Sequence, residues 1–215
     1  MKIGVFDSGV GGLSVARAIE KALPEHEVLF VNDTEHVPYG TRGLDEIYAF
    51  TKPILEGLVT QGCDVLVVAC NTVSTNFAER LRAEINIPLI AMEPMVKPAA
   101  AASATKKITV CATPRTLESK RYAWLKQEFA VGVEVFEPDC SDWSHMIEQN
   151  TVDRQKIAEI VEQSCAFGSD QLVLGCTHYH WIEDMILELV NKRAVVWQPE
   201  EAVVGQLTKV LAQLQ

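Results

Sequence analysis

The stretch Asp64-Val65-Leu66-Val67-Val68-Ala69-Cys70 returns about half the chain later as Asp170-Gln171-Leu172-Val173-Leu174-Gly175-Cys176. Both follow the pattern D-x-L-V-x-small-Cys, and both read as strands buried on two faces, because the apolar residues run on without alternation. Small polar residues follow each cysteine at once, Asn71-Thr72 in one copy and Thr177-His178 in the other. The period is too long for a solenoid repeat. It fits two lobes built to one plan, with a cysteine at the same structural address in each. Ligands of open α/β sheets bind beyond the carboxyl ends of the strands, where both cysteines fall.

Outward from these two segments, short apolar runs alternate with longer amphipathic ones. Strands are expected at 2–6, 27–31, 64–69, 88–92, 107–112, 133–136, 171–175 and 194–197. Helix-length segments lie between them at 13–23, 44–61, 74–85, 115–129, 154–167 and 181–190. Repeated β-α-β order implies an α/β chain with doubly wound, mainly parallel sheets flanked by helices. Glu93-Pro94-Met95-Val96-Lys97-Pro98 interrupts the rhythm, and Gln198-Pro199-Glu200 breaks it again. We read the first as a crossing between lobes and the second as a return. The expected lobes are 1–94 with 199–215, and 95–198.

Composition narrows the function. The chain has 215 residues, 48% of them hydrophobic and 22% charged, which suits a soluble globular protein and excludes disorder. A net charge of −10 without a basic cluster argues against nucleic-acid or anionic-membrane partners. No apolar run approaches the roughly 20 residues of a membrane helix, and Asp7 arrives too early for a secretory signal, so a cytoplasmic location is expected. The six cysteines form no C-x-x-C pair, and free thiols are expected of them.

Asp7-Ser8-Gly9-Val10-Gly11-Gly12 follows the first strand. Ser14 stands where a dinucleotide fingerprint needs glycine, and no Gly-Lys-Ser/Thr follows, so neither phosphate-binding pattern applies. An acid at the end of a buried strand is costly unless paired or working. The turn therefore reads as a carboxylate-binding one on a catalytic rim, its glycines letting backbone approach a bound anion. Asn32-Asp33-Thr34 and Pro38-Tyr39-Gly40 are turn chemistry that lies where a ligand would be touched. A thiol at a helix start is favoured as the reactive thiolate, which singles out Cys70 and Cys176 with Asp7 and His178 as partners. His178 and His180 lack the further ligands of a metal site, so none is expected. Glu148 by itself reads as a solvated helix acid.

With these residues in hand, the chain resembles the glutamate racemases of the cofactor-independent Asp/Glu racemase superfamily along nearly its whole length. The resemblance rests on 4–12, on Asp33-Thr34 with Pro38-Tyr39-Gly40, on Ala69-Cys70-Asn71-Thr72 and on Gly175-Cys176-Thr177-His178-Tyr179. Ile90-Ala91-Met92-Glu93-Pro94 and Ala112-Thr113 with Thr116 and Ser119 also match. It implies an active site between the lobes, no cofactor and no metal, and an acidic amino acid as substrate. It implies Cys70 and Cys176 as acid/base groups, assisted by Asp7 on one side and by His178 and Glu148 on the other. Asp7, Ser8, Tyr39, Gly40, Asn71, Thr72, Thr113, Thr177 and His178 would touch substrate. By the same resemblance Cys70 serves the D-enantiomer and Cys176 the L-enantiomer, the product supplies peptidoglycan synthesis, and a homodimer is compatible. Three features depart from the pattern: a shorter stretch between Cys140 and Cys176, Ser141-Asp142-Trp143-Ser144-His145 in place of an apolar proline-rich run, and His180 in place of proline.

The chemistry needs two bases, since racemisation removes the α-proton from one face and returns one to the other. Thiols suit the reversal because modest tuning brings them near working pH. Other readings stay open at this point: an aspartate racemase, a single-cysteine decarboxylase or hydrolase, and a non-catalytic amino-acid-binding protein.

Overall fold

A computed structural model describes residues 1–214 and divides them into two compact units, 1–93 with 199–214, and 94–198. In the first unit the order is β1 (Lys2–Asp7), α1 (Leu13–Ala22), β2 (Glu27–Asn32), α2 (Leu44–Thr60), β3 (Val65–Val68), α3 (Asn71–Glu84) and β4 (Leu89–Ala91). The helix Glu200–Leu214 completes it. The four strands are parallel in the order β2-β1-β3-β4, with Ile3 beside both Val28 and Val65, and Val67 beside Ile90.

Period-two alternation sends the apolar run of each central strand to both faces. Ile3, Val5, Val65 and Val67 pack with Val15 and Ile19 of α1 and with Val203, Leu207 and Leu211 of the closing helix. Phe6, Leu66 and Val68 pack with Leu55 and Leu58 of α2 and with Val73, Phe77 and Leu81 of α3. Truncating one such Leu or Ile to Ala costs about 2–5 kcal/mol, so each face contributes substantially.

The second unit repeats this plan. It runs α4 (Val96–Ala102), β5 (Lys107–Ala112), α5 (Pro114–Leu117), α6 (Lys120–Phe129), β6 (Glu134–Phe136), α7 (Trp143–Glu148), α8 (Arg154–Phe167), β7 (Gln171–Gly175), α9 (Glu183–Val190) and β8 (Val195–Trp197). Its parallel order β6-β5-β7-β8 matches that of the first sheet position for position. Ile108, Val110 and Val173 face α4 and α6, whereas Cys111, Leu172 and Leu174 face α7, α8 and α9. Asp170 secures the entry to β7, accepting hydrogen bonds from the Ser103 hydroxyl and from the Ala104 and Thr105 amides.

Several boundaries differ from the sequence expectation. The helix expected from Ser74 begins at Asn71, because Cys70 already occupies its N-cap position. Ser74 does other work: its hydroxyl donates to the Val68 carbonyl and accepts from the Met92 amide, tying β3 to the end of β4. The helix expected over 115–129 breaks at Ser119, whose hydroxyl accepts from the Tyr122 amide and caps a new helix. The segment from 181 enters through a 3-10 turn over Thr177–Ile182. Among the described residues, no helix is long and apolar enough to cross a membrane.

Candidate functional site

In each sheet the chain order reverses between the two central strands, the place where a crevice opens at the carboxyl ends. Cys70 follows β3 and Cys176 follows β7, each in extended backbone at the N-cap of the next helical segment. Both thiols are buried, with 4% and 7% of their surface exposed.

In the first unit, Asp7 ends β1 fully buried. Its Oδ2 accepts from the Gly12 amide at 2.7 Å and from the Gly9 amide at 3.4 Å. Two amides of this glycine turn thus bond the turn's own Asp7 carboxylate. Gly12 is required there, since a Cβ at that position would lie 2.4 Å from the Asp7 Cβ. Ser8, the next residue, brings its hydroxyl to 3.3 Å from the Cys70 sulfur.

Beyond β2, the buried Tyr39 hydroxyl donates to Asp33 Oδ2 at 2.6 Å, and His36 Nδ1 lies 2.9 Å from both oxygens of Asp33. Burial opposes the Asp33 charge, but hydrogen bonds from Tyr39 and His36 outweigh it and hold the carboxyl below its usual range. Burial, then the bond to Asp33, pushes the Tyr39 hydroxyl far up, so it stays a donor. Gly40, next to Tyr39, and Thr72, two positions after Cys70, are also buried. Asn71 is the outstanding case: it is 2% exposed, and neither atom of its side-chain amide has a hydrogen-bond partner among the described residues. A buried amide left unmade costs about 1–3 kcal/mol, which makes Asn71 a candidate partner for a ligand.

In the second unit, His178 Nδ1 lies 3.7 Å from the Cys176 sulfur, and its Nε2 meets Glu148 Oε1 at 2.5 Å. Glu148 is thus no solvated helix acid: its side chain is 12% exposed and turned onto His178. Ser144, one helical turn before Glu148 on α7, places its hydroxyl 3.5 Å from the Cys176 sulfur. Thr177 is buried, as is Thr113, whose hydroxyl pairs with that of Thr116 at 3.1 Å. Burial pushes Cys63 and Cys165 up, and burial with the neighbouring Cys111 keeps Cys140 well above the ordinary thiol range.

Within the first unit, Asp7, Ser8, Tyr39, Asn71 and Thr72 accompany Cys70; within the second, Glu148, Thr177 and His178 accompany Cys176. Sequence reasoning did not pick out Ser144 or the His36 contact to Asp33. Ser144 carried no local signal, because only packing of α7 brings it to a sulfur 32 positions away. Among the described residues, no group of three or more His, Cys, Asp or Glu is arranged to hold a metal ion.

Residues 3–204 match the family Asp/Glu/Hydantoin racemase. The glutamate racemase of Pseudomonas aeruginosa is 41% identical over 219 residues, spanning 98% of this chain and 81% of that one. Escherichia coli glutamate racemase, solved in complex with L-glutamate and the activator UDP-MurNAc-Ala, superposes with a TM-score of 0.90 at 26% identity, covering 98% of this chain and 82% of that one. Thermus thermophilus glutamate racemase, solved with β-chloro-D-alanine, gives 0.78 at 30% identity, covering 99% and 80%. An aspartate racemase homologue from Pyrococcus horikoshii shares the fold at a TM-score of 0.59 and 16% identity.

Proposed function

Because this chain belongs to the Asp/Glu/Hydantoin racemase family, we propose that it interconverts L- and D-glutamate by two-base proton transfer between Cys70 and Cys176. One observation carries the proposal. A thiol stands at the same address in two sheets of identical strand order, and the two thiols have unlike partners. A single-cysteine hydrolase or decarboxylase has no use for the second, and a pure binding protein has no use for either. Relatives at about 40% identity that are glutamate racemases support glutamate over aspartate.

In the direction from L to D, the Cys176 thiolate removes the α-proton and the Cys70 thiol delivers one to the opposite face. The reverse direction exchanges their roles. Neither step needs an external cofactor if the carbanion is held by fixed dipoles. The amides at the starts of α3 and of the turn after β7, with the side chains of Asn71, Thr72, Thr113 and Thr177, are the donors for substrate carboxylates. Tyr39 and the Gly40 backbone add contacts on the Cys70 side. Asp7 and Ser8 assist Cys70, and His178, backed by Glu148, assists Cys176. A cytoplasmic enzyme of this kind would supply D-glutamate for peptidoglycan.

The test is circular dichroism of L-glutamate incubated with dialysed protein and no additive. The signal should decay to zero, and L-aspartate should respond far more slowly. A signal that stays constant, or decays only after pyridoxal phosphate or a metal is added, contradicts the proposal.

A further inference from the structure

We propose that Ser144 is a positioning residue for Cys176, its hydroxyl hydrogen following the charge on the sulfur through the catalytic cycle. The proposal rests on the two-thiol reading above and adds a group that reading does not contain. The Ser144 hydroxyl lies 3.5 Å from the Cys176 sulfur, and it also acts as a donor towards the Tyr179 hydroxyl. Tyr179 has already spent its hydrogen, donating to the Cys140 carbonyl at 2.8 Å, so towards Ser144 it can only accept. Ser144 has one hydrogen and therefore two orientations. With Cys176 as a thiolate, the hydrogen points to sulfur, where a charge-assisted bond is the stronger choice. With Cys176 protonated, the S–H can donate to the Ser144 oxygen while the Ser144 hydrogen turns to Tyr179. Both states of the sulfur are then satisfied, and only a hydroxyl rotates.

The surroundings leave Ser144 little freedom to do otherwise. It is 3% exposed, and its neighbour Trp143 packs edge-on against the Tyr179 ring at 5.0 Å. The Trp143 amide bonds the Cys140 carbonyl, the same carbonyl that Tyr179 grips, so α7 starts from a fixed point. The titratable groups around the sulfur are His178 with Glu148 behind it, and Tyr179 with Cys140 and Cys111. None of the latter three carries a compensating positive charge. The first unit offers a comparison. There the hydroxyl at the sulfur comes from Ser8, straight after β1. At the matching place after β5 the chain has Thr113, paired with Thr116. A serine hydroxyl meets each thiol, but from a different element in each unit.

The experiment compares Ser144→Thr with Ser144→Val, a pair of equal shape that differs only in the hydroxyl. Alkylation of the intact protein by iodoacetamide is followed against pH, with Cys176 and Cys70 read separately by peptide mass spectrometry. Loss of a hydrogen bond to a charged sulfur should lower Cys176 alkylation at neutral pH about tenfold in the Val variant, with its profile about one pH unit higher. The Thr variant should track the wild type, and Cys70 should not move in either. Coincident Cys176 profiles for Thr and Val, or an equal movement of Cys70, would overturn the proposal. Because alkylation needs no turnover, a Ser144-dependent shift in a protein that racemises nothing would uphold the contact while overturning the function.

Discussion

The Nε2 atom of His178 lies 2.5 Å from a carboxylate oxygen of Glu148, with the opposite ring nitrogen turned towards the Cys176 sulfur. The carboxylate fixes which way the imidazole faces and stabilises its cationic form. Glu148→Gln keeps a polar partner but removes the charge. We predict a loss of about ten- to a hundredfold in kcat, in line with acid–base assistance, with little change in Tm. Since the two enantiomers of glutamate are equal in free energy, kcat/KM must fall equally in both directions. Steady-state kinetics from each enantiomer, with a thermal melt of the same variant, check this.

The Asp7 turn predicts a contrast between two glycines. Gly12→Ala would force a methyl to within 2.4 Å of Asp7 Cβ, displacing the turn and its hydrogen bonds. We expect about 1–3 kcal/mol of destabilisation and loss of racemisation. Gly57, within α2, has open space around it: a methyl added there would meet nothing within 4 Å. Gly57→Ala should stabilise by about 0.5–1 kcal/mol and leave kinetics unchanged. Urea unfolding of both variants, with activity assays, separates the two.

Asn71 predicts a trade of function for stability. Its amide is buried and unmatched among the described residues, so Asn71→Leu replaces an unsatisfied polar group with an apolar one of similar volume. The variant should unfold about 1–3 kcal/mol harder, or at least no more easily, while KM for glutamate rises tenfold or more. A variant both less stable and kinetically normal would mean that Asn71 is satisfied in solution by other means.

Most of the fold was legible in the sequence because the strands declare themselves. Val65–Val68 and Leu172–Leu174 are continuous apolar runs between an Asp and a Cys, and both lie in central parallel strands. Helix starts were less legible. The helix expected from Ser74 starts three residues earlier, and the Ser74 hydroxyl is drawn into the β3–β4 connection by a residue 18 positions away, which no local pattern reports. Glu148 is the sharpest case in the candidate site. Alone on a short helix it carries the composition of a surface acid, and only the packing of α7 against the turn after β7 turns it onto His178. The Asp7 carboxylate takes two amides of its own glycine turn, a contact that no local pattern reports.

Glu84 predicts an acid-side weakness. Its carboxylate accepts from Lys52 and Tyr48 at 2.6 Å each and from Arg80 at 3.0 Å, which depresses its pKa from 4.5 to about 2. A carboxyl whose folded pKa is depressed adds stability above its unfolded value and loses it as pH falls through the folded one. That contribution is therefore complete above about pH 4.5 and disappears towards pH 2. Melts of wild type and Glu84→Gln should converge across that window, and parallel curves would contradict the assignment.

The central claim is that Cys70 and Cys176 are separate bases for opposite enantiomers. Racemisation needs both, so Cys70→Ala and Cys176→Ala should each abolish it. Elimination from a glutamate analogue with a leaving group on the β-carbon needs only one thiolate, to take the α-proton. The measurement is the rate of that elimination by each single variant on each enantiomer of the analogue. Opposite preferences are predicted: Cys70→Ala, which keeps Cys176, eliminates from the L-analogue alone, and Cys176→Ala from the D-analogue alone. The same preference in both variants, or full racemisation by either one, would contradict the claim.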